Sequence, residues 1–479
     1  FLFAGIISLL ISACGFLPAD PAPTPASFYF VAPAPDASAT PTPFQPVAGF
    51  SLISNQQGDQ APISSPTLPP PAATATPFPP PTFPPPLQPA PEVITVPQTV
   101  IEVPDAVTFL LLGSDTRGGT SFRTDTILIA AVRPKDGQVS LISVPRDLWV
   151  NIPDVGMQRI NTAYQYGEYG GYTGGGAGLL KDTILYNFGL QIDHTAMVDF
   201  DGFRRIVDTL GGIEVPIACP YTDWRLIDPS YDPENENNWA LYTAGPGLIH
   251  MDGDLSLWYA RSRLKSNDFD RGRRQQEVIR SIYAQALRTD TMSRIPQLYN
   301  DFSSAITTNL GLGDILNLAP LALHLTNADI RGYYIAGDLV TSWITPGGAY
   351  VLLPNTELIQ AMLAEALAPS PRQQERQAFK IEIQNGSALD GWDALAAERF
   401  NYAGYETSTR PADNRQHAQT LLYDLTPGQD RLKTASLLAI LNLPESALVS
   451  APASNSQVSY VLIVGNDYDP CFDPNSLAR

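Results

Sequence analysis

The sequence predicts an α/β domain followed by a smaller α+β domain, both set behind a long extended leader. Three observations carry this. The runs VTFLLLGSD, DTILIAAVRP and QVSLISVPRDLWV are apolar almost throughout and end in turn residues, the pattern of strands buried on both faces. GFRRIVDTLGGIEV then switches to a helical spacing, stops at Gly211-Gly212 and resumes as a strand. Near the C-terminus, strand-like and helix-like segments follow in the order β-α-β-β-α-β.

The leader has two parts. Residues 1–17, FLFAGIISLLISACGFL, carry no charge and read as the apolar core of an export signal. Ile11-Ser12-Ala13-Cys14 resembles a bacterial lipobox, which makes Cys14 a candidate for lipidation; a retained membrane helix is the alternative. Residues 18–104 form a Pro-rich linker: the stretch 15–104 holds 25 of the 45 prolines and no Lys or Arg. Such a segment cannot bury enough surface to fold. As a coil of about 90 residues it spans roughly 50 Å. The chain therefore reads as anchored at the cell membrane, with its domains on the extracytoplasmic side. A formal charge of −19 argues against nucleic-acid binding.

The first domain is expected over 105–366, a short linker over 367–377 and the small domain over 378–470. In the first, Lys135-Asp136-Gly137 suits a hairpin turn between the second and third strands. EYGGYTGGGAGLLKDTILYNFGL reads as a mobile glycine-rich loop feeding an amphipathic helix. DWRLIDPSYDPENENNWALY reads as a rim loop, and 282–325 as helical. His194 lacks a Ser-His-Asp context and reads as structural. In the small domain, FKIEIQ, YETSTRP, TLLYDL and VSYVLIVGNDY are strands, and GWDALAAERFNYAG and PGQDRLKTASLLAILN helices. No paired carboxylates or phosphate loop appear there, so its role is binding or positioning.

The chemistry gathers in YARSRLKSNDFDRGRRQQ, which sets Arg261, Arg263, Arg271, Arg273 and Arg274 within fourteen positions of an acidic chain. Guanidinium forks suit bidentate capture of phosphate or carboxylate. Arg261 and Arg263 alternate behind LSLWYA like a strand end. Arg271, Arg274 and Gln275 recur at i, i+3, i+4, one helix face. The pattern suggests an anion held between a strand end and a helix start. Asp115 follows the first predicted strand, Arg123-Thr124-Asp125 opens the second, and Arg146-Asp147 follows the third. Two carboxylates about 4 Å apart repel by about 4 kcal/mol at an effective dielectric of 20. A divalent cation removes that penalty, and a hard oxygen site facing phosphate suits Mg²⁺. Taken singly, Asp115 and Asp125 also fit as turn and cap residues.

The successive segments LLLGSDTR, RTDTILIAAV, SVPRDLWV, RINTAYQYGEYGG, MVDFDGFRRIVDTLGGIEV, HMDGDLSLWYARSR and DFDRGRRQQEVIRSI resemble the ordered motifs of the LytR-CpsA-Psr family over about 105–366. The resemblance implies an α/β/α sandwich with a central mixed sheet and a lipid-holding cavity. It implies an extracytoplasmic, Mg²⁺-dependent phosphotransferase. Such an enzyme moves a glycopolymer from a polyprenyl-pyrophosphate carrier to a cell-wall acceptor such as peptidoglycan. A hydrolase acting on the same carrier and a non-catalytic wall-binding scaffold are the alternatives. By position, Asp115 and Asp125 match the metal-binding aspartates. Arg123, Arg146, Arg261, Arg263, Arg271 and Gln275 match the groups around the pyrophosphate. Arg274, at the matching position of the same helix, is counted among the pyrophosphate-binding residues, Arg159 and Asn161 fit a structural or acceptor-side role, and Arg273 is expected to face solvent. Asp270 departs from the family, where glycine is common. The small domain resembles the LytR C-terminal domain. With both domains outside the cell, a Cys219–Cys471 disulfide is permitted and would staple one to the other.

Overall fold

The computed structural model describes residues 97–103, 105–114, 124–263, 268–288, 305–369, 379–427, 431–453 and 456–471. The segment with Cys14, most of the Pro-rich linker, and Asp115 and Arg123 lie outside the described residues. The body is already engaged ahead of Asp105: the Gln98 and Ile101 amides donate to the carbonyls of Tyr186 and Gly189, and Ile101 and Val103 pack on the core.

The first domain opens with β1 (Val107–Ser114), β2 (Thr124–Arg133) and β3 (Gln138–Val144), then the hairpin β4 (Trp149–Ile152) and β5 (Gly156–Arg159). Helices α1 (Ala163–Tyr169) and α2 (Gly175–Phe188) follow, then β6 (His194–Asp199) and α3 (Phe200–Thr209). Next come β7 (Ile213–Ile217), β8 (Tyr221–Leu226), β9 (Trp239–Ala244) and β10 (Gly247–Met251). They lead to α4 (Gly253–Arg261) and α5 (Asp268–Ala286). The domain closes with β11 (Ile306–Thr308), α6 (Leu312–Ala322), β12 (Ile330–Tyr334), β13 (Val340–Ile344), β14 (Tyr350–Pro354) and α7 (Thr356–Leu367).

Six of these strands form the central sheet, in the order β11-β6-β1-β2-β3-β12. β1 pairs parallel with β6 and β3 with β12; β2 runs antiparallel between β1 and β3, and β11 is antiparallel to β6. The alternation of side chains explains the continuous apolar runs. Leu110, Leu112, Ile127, Ile129, Ile142 and Val144 face one core with α1, α2 and α7. Phe109, Leu128, Ala130, Val139 and Leu141 face the other, with Ile279 and Tyr283 of α5 and Leu318 of α6. Helices thus cover both faces, and the fold is the expected α/β/α sandwich. His194 on β6 stacks on Phe109 with ring centroids 5.3 Å apart.

Four segments differ from the sequence reading. LSLWYA belongs to helix α4, not to a strand. Asp252 caps it, accepting from the Leu255 amide at 2.7 Å, and Leu255, Leu257, Tyr259 and Ala260 are all buried. Burial around most of the helix erases the amphipathic spacing that would have marked it. The glycine-rich stretch packs as two close helices: a Cβ on Gly167 would meet the Gly175 carbonyl at 2.6 Å, and one on Gly176 the Tyr164 carbonyl at 2.5 Å. Those glycines serve close approach rather than looseness. The rim excursion folds as the hairpin β8–β9, with its turn formers at the tip. Within 282–325, Ile306–Thr308 is an edge strand, too short to carry a periodic signal.

The second domain holds β15 (Ile381–Asn385), α8 (Trp392–Tyr402), β16 (Thr407–Pro411), β17 (Leu421–Asp424), α9 (Arg431–Ile440), β18 (Leu448–Ser450) and β19 (Tyr460–Val464). Its mixed sheet runs β16-β15-β19-β17-β18, so only the three-residue β18 adds to the expected order. The two domains are covalently joined: Cys219, after β7, is bonded to Cys471, with Cα atoms 4.6 Å apart.

Candidate functional site

β1, β3, β6 and β12 all run the same way, so their C-terminal ends share one edge of the sheet with the start of β2. Open α/β sheets place ligands at such an edge. Asp125, second residue of β2, sits there. Its Oδ1 accepts a hydrogen bond from Arg146 Nη1 at 2.7 Å. Arg146 Nε lies 3.5 Å from Asp147 Oδ2, and Asp147 Oδ1 lies 3.2 Å from Arg159 Nε. Arg159 Nη2 in turn donates to the Tyr350 carbonyl at 2.8 Å. These charges are only 18–27% exposed, so solvent screens the ladder less than it would a surface pair. It fixes Asp125 and Arg146 at the cleft from below.

Helix α5 supplies the opposite wall. Gly272 lets it approach β3, since a Cβ there would already lie 3.1 Å from that of Ser143. Arg271 donates to the Asp125 main-chain carbonyl at 3.3 Å. Gln275 Nε2 donates to Thr126 Oγ1 at 2.9 Å and to the Ala260 carbonyl at 3.3 Å, tying the strand of Asp125 to the end of α4. Asp125, Ser143, Arg271 and Gln275 line a small open cleft whose apolar wall is Ile127, Val144, Pro145, Phe269, Tyr334 and Ile335.

The remaining arginines divide by job. Arg261 is the last residue of α4, its guanidinium 3.9 Å above the ring of Phe200, which directly follows β6. The Arg263 amide donates to buried Asp223 Oδ2 at 2.5 Å. The pair therefore flanks a helix end, not a strand end. Arg274 is only 1% exposed. Its Nε donates to the Tyr259 carbonyl at 2.9 Å, its Nη2 to the Ser262 carbonyl, and its plane stacks 4.0 Å from Tyr221. Burial pushes its pKa down from the usual value. The structure thus places Arg274 beneath the cleft, holding the last turn of α4. Arg273 does not simply face solvent: it is half-buried and paired with buried Glu277, which also accepts from Tyr259 Oη at 2.9 Å. That carboxylate holds the Arg273 guanidinium well above its ordinary pKa.

Two further side-chain oxygens lie at this end of the sheet, one of them on Asn161, expected from sequence in a structural or acceptor-side role. Ser114 Oγ, at the end of β1, and Asn161 Oδ1 are buried and make no hydrogen bond to protein. Asn161 joins the same edge, its amide donating to the Arg146 carbonyl and its carbonyl accepting from Thr124 Oγ1. Buried oxygens without donors are groups that a hard cation can take. Among the described residues no three His, Cys, Asp or Glu side chains gather into a metal cluster, and Asp115 lies outside them. Also among the described residues, no helix is long and apolar enough to cross a membrane. Nothing in the sequence distinguished Ser114, Asp223 or Tyr221 from ordinary strand residues; their roles come from pairing across the fold.

A profile of the LytR_cpsA_psr family matches residues 89–367. The chain belongs to the LytR_cpsA_psr family. Among curated members, it is 29% identical over 249 residues to the polyisoprenyl-teichoic acid–peptidoglycan teichoic acid transferase TagU of Oceanobacillus iheyensis, covering 49% of this chain and 72% of that one. It is 32% identical over 247 residues to the probable cell wall biosynthesis protein LcpB of Corynebacterium glutamicum, covering 48% and 54%. Among solved structures, TagV of B. subtilis aligns with a TM-score of 0.45 at 22% identity, over 57% of this chain and all of that one. The family match ends before β15, so the second domain stands outside it.

Proposed function

We propose that this LytR_cpsA_psr member is an extracytoplasmic phosphotransferase. It would ligate a polyprenyl-pyrophosphate-linked glycopolymer to a cell-wall acceptor, peptidoglycan by preference. The observation that carries the reading is the cleft itself. One carboxylate, Asp125, is held by Arg146 and faced by Arg271 and Gln275 across an apolar-walled opening. A pyrophosphate needs cationic forks, and its prenyl chain needs an apolar wall. Curated relatives are named polyisoprenyl-teichoic acid–peptidoglycan teichoic acid transferases, which agrees with the apolar requirement.

Arg146 and Arg271, together with Arg123, Arg261 and Arg263, would bind the pyrophosphate and stabilise the charge that grows on the leaving group. Gln275 would keep the α5 wall in register with β2. Asp125 with Asp115 would hold Mg²⁺, which when bound neutralises phosphate charge and polarises the P–O bond. Cys14 lipidation, or a retained helix, would keep the domains near a membrane-borne donor.

The test is incubation of the purified protein with a polyprenyl-pyrophosphate disaccharide and peptidoglycan fragments, with and without Mg²⁺. Glycan linked to the fragments through phosphate is the expected product. Free sugar phosphate would indicate a hydrolase instead, and binding without turnover a scaffold.

A further inference from the structure

We propose that the second domain is a brace for the transfer site, with Tyr402 and Arg280 as positioning residues that hold helix α5 in register. α5 reaches both places. Its first turns present Arg271 and Gln275 to the cleft, and its later turns carry Arg280, which is 2% exposed. Arg280 donates through Nη1 to the Asn327 carbonyl at 3.1 Å and through Nη2 to the Ile330 carbonyl, where β12 begins. The other face of its guanidinium is covered by the second domain. The Tyr402 ring, at the end of α8, stacks 4.0 Å away, and Glu398 Oε1 lies 3.8 Å from Nη1.

The contact continues toward the cleft. A Cβ on Gly332 of β12 would lie 3.5 Å from Tyr402 Cε1 and 2.5 Å from Gln276 Oε1, so Tyr402 rests on the edge of the central sheet beside α5. Gln276 is fully buried and donates to the Leu141 and Tyr333 carbonyls and to Ser143 Oγ. Tyr334, two residues past Gly332, lines the cleft. α8 is itself tied down at both ends. Gly391 packs against Leu248 of β10, and Arg399 donates to the Pro470 carbonyl, adjoining the bonded Cys471. A domain that merely carried a wall-binding surface would not need to insert an aromatic ring against a buried arginine of the site helix. Stacking on a desolvated guanidinium and two fixed carbonyl bonds specify one helix register.

The experiment compares full-length wild type with Tyr402→Leu, Tyr402→Phe and Arg280→Lys, with the disulfide intact. Two readouts are taken: amide hydrogen exchange over Arg271–Glu277, and KM and kcat for a polyprenyl-pyrophosphate disaccharide donor. Tyr402→Leu is expected to speed exchange over that stretch about tenfold and to raise the donor KM by a similar factor, with kcat changed less. Tyr402→Phe keeps the ring and is expected to behave as wild type. Arg280→Lys keeps charge but loses the fork, and is expected to follow Tyr402→Leu; it decides the matter alone should Tyr402→Leu not fold. Wild-type exchange and KM in a folded Tyr402→Leu or Arg280→Lys overturn the proposal. The kinetic arm rests on the transfer reading; if wild type transfers nothing, that reading fails while the exchange arm still decides the brace.

Discussion

Arg271 and Arg274 stand one turn apart on the same helix and do different work. Arg271, itself only 6% exposed, lines the cleft and reaches a strand-end carbonyl, while Arg274 is sealed under the end of α4. The cleft side of α5 is built of groups that line one small opening. The core side is built of groups each consumed by a specific carbonyl, ring or carboxylate: Arg274 by Tyr259 and Ser262, Gln276 by three acceptors, Arg280 by β12 and Tyr402. Equal charge on one helix therefore divides into chemistry and architecture. Loss of a cleft group should cost rate and little stability; loss of a core group should cost stability first.

The sharpest test of the cleft side is Asp125→Ala. It removes the carboxylate held by Arg146 and should lower transfer by about 10²–10³, the usual consequence of losing a preorganised charge-stabilising group. Thermal unfolding should barely move, because the side chain is 27% exposed and Arg146 keeps Asp147 as a partner. A folded Asp125→Ala with wild-type transfer across a Mg²⁺ titration would remove Asp125 from the site.

Arg274→Ala breaks the comparison from the other side. Two buried carbonyls lose their donor and the Tyr221 face loses its cover, at a cost of about 2–4 kcal/mol. Arg274→Lys should recover little of it, since an ammonium cannot span two carbonyls and stack. Denaturant unfolding measures both. If Arg274→Ala loses transfer with unchanged stability, it belongs to the cleft after all.

The Cys219–Cys471 bond adds a third level, acting between domains rather than within one. Cys219→Ser should cost about 2–4 kcal/mol, typical for removing a native cross-link. The bond closes a separation of 252 residues. Unfolding of the variant beside the oxidised parent, followed by circular dichroism, gives the difference. Equal midpoints would mean that the α8 contacts alone secure the second domain.

How much of this was legible follows the same division. β1 to β3 were readable because helices cover both faces, which forces apolar residues at every position. The cluster around α5 was visible as composition, and Gln275 and Arg271 met at the cleft as their spacing suggested. The split between Arg271 and Arg274 was not visible. At about 100° per residue, Arg274 lies about 60° to one side of Arg271 and Gln275 about 40° to the other. That arc is wide enough to reach two different neighbours, and only the fold says which. α4 was misread for a related reason: a helix buried around most of its circumference carries no polar face to reveal its period. Tyr402 and Glu398, the partners of Arg280 in the second domain, sit more than a hundred residues away, beyond any local pattern.

The smallest predicted effect concerns Glu398, an acid that the second domain places against α5. Burial raises its pKa above the ordinary carboxylate range, and Arg280 offsets only part of that. The folded state therefore binds the proton more tightly than the unfolded chain. Between the ordinary carboxylate pKa and the raised one, stability should fall as pH rises, because ionisation in the buried site is disfavoured. Glu398→Gln removes the titration and should flatten the slope in that window, by at most about 1.4 kcal/mol per pH unit for a single proton. Above the window the variant should be no less stable than the parent, provided that Tyr402 and the two carbonyls hold Arg280 without a counter-ion. Urea unfolding from pH 4 to 8 checks this. A variant that keeps the parent's slope would show that Glu398 does not titrate abnormally. One that is much weaker at pH 8 would show that the carboxylate, rather than the ring, secures Arg280 to the second domain.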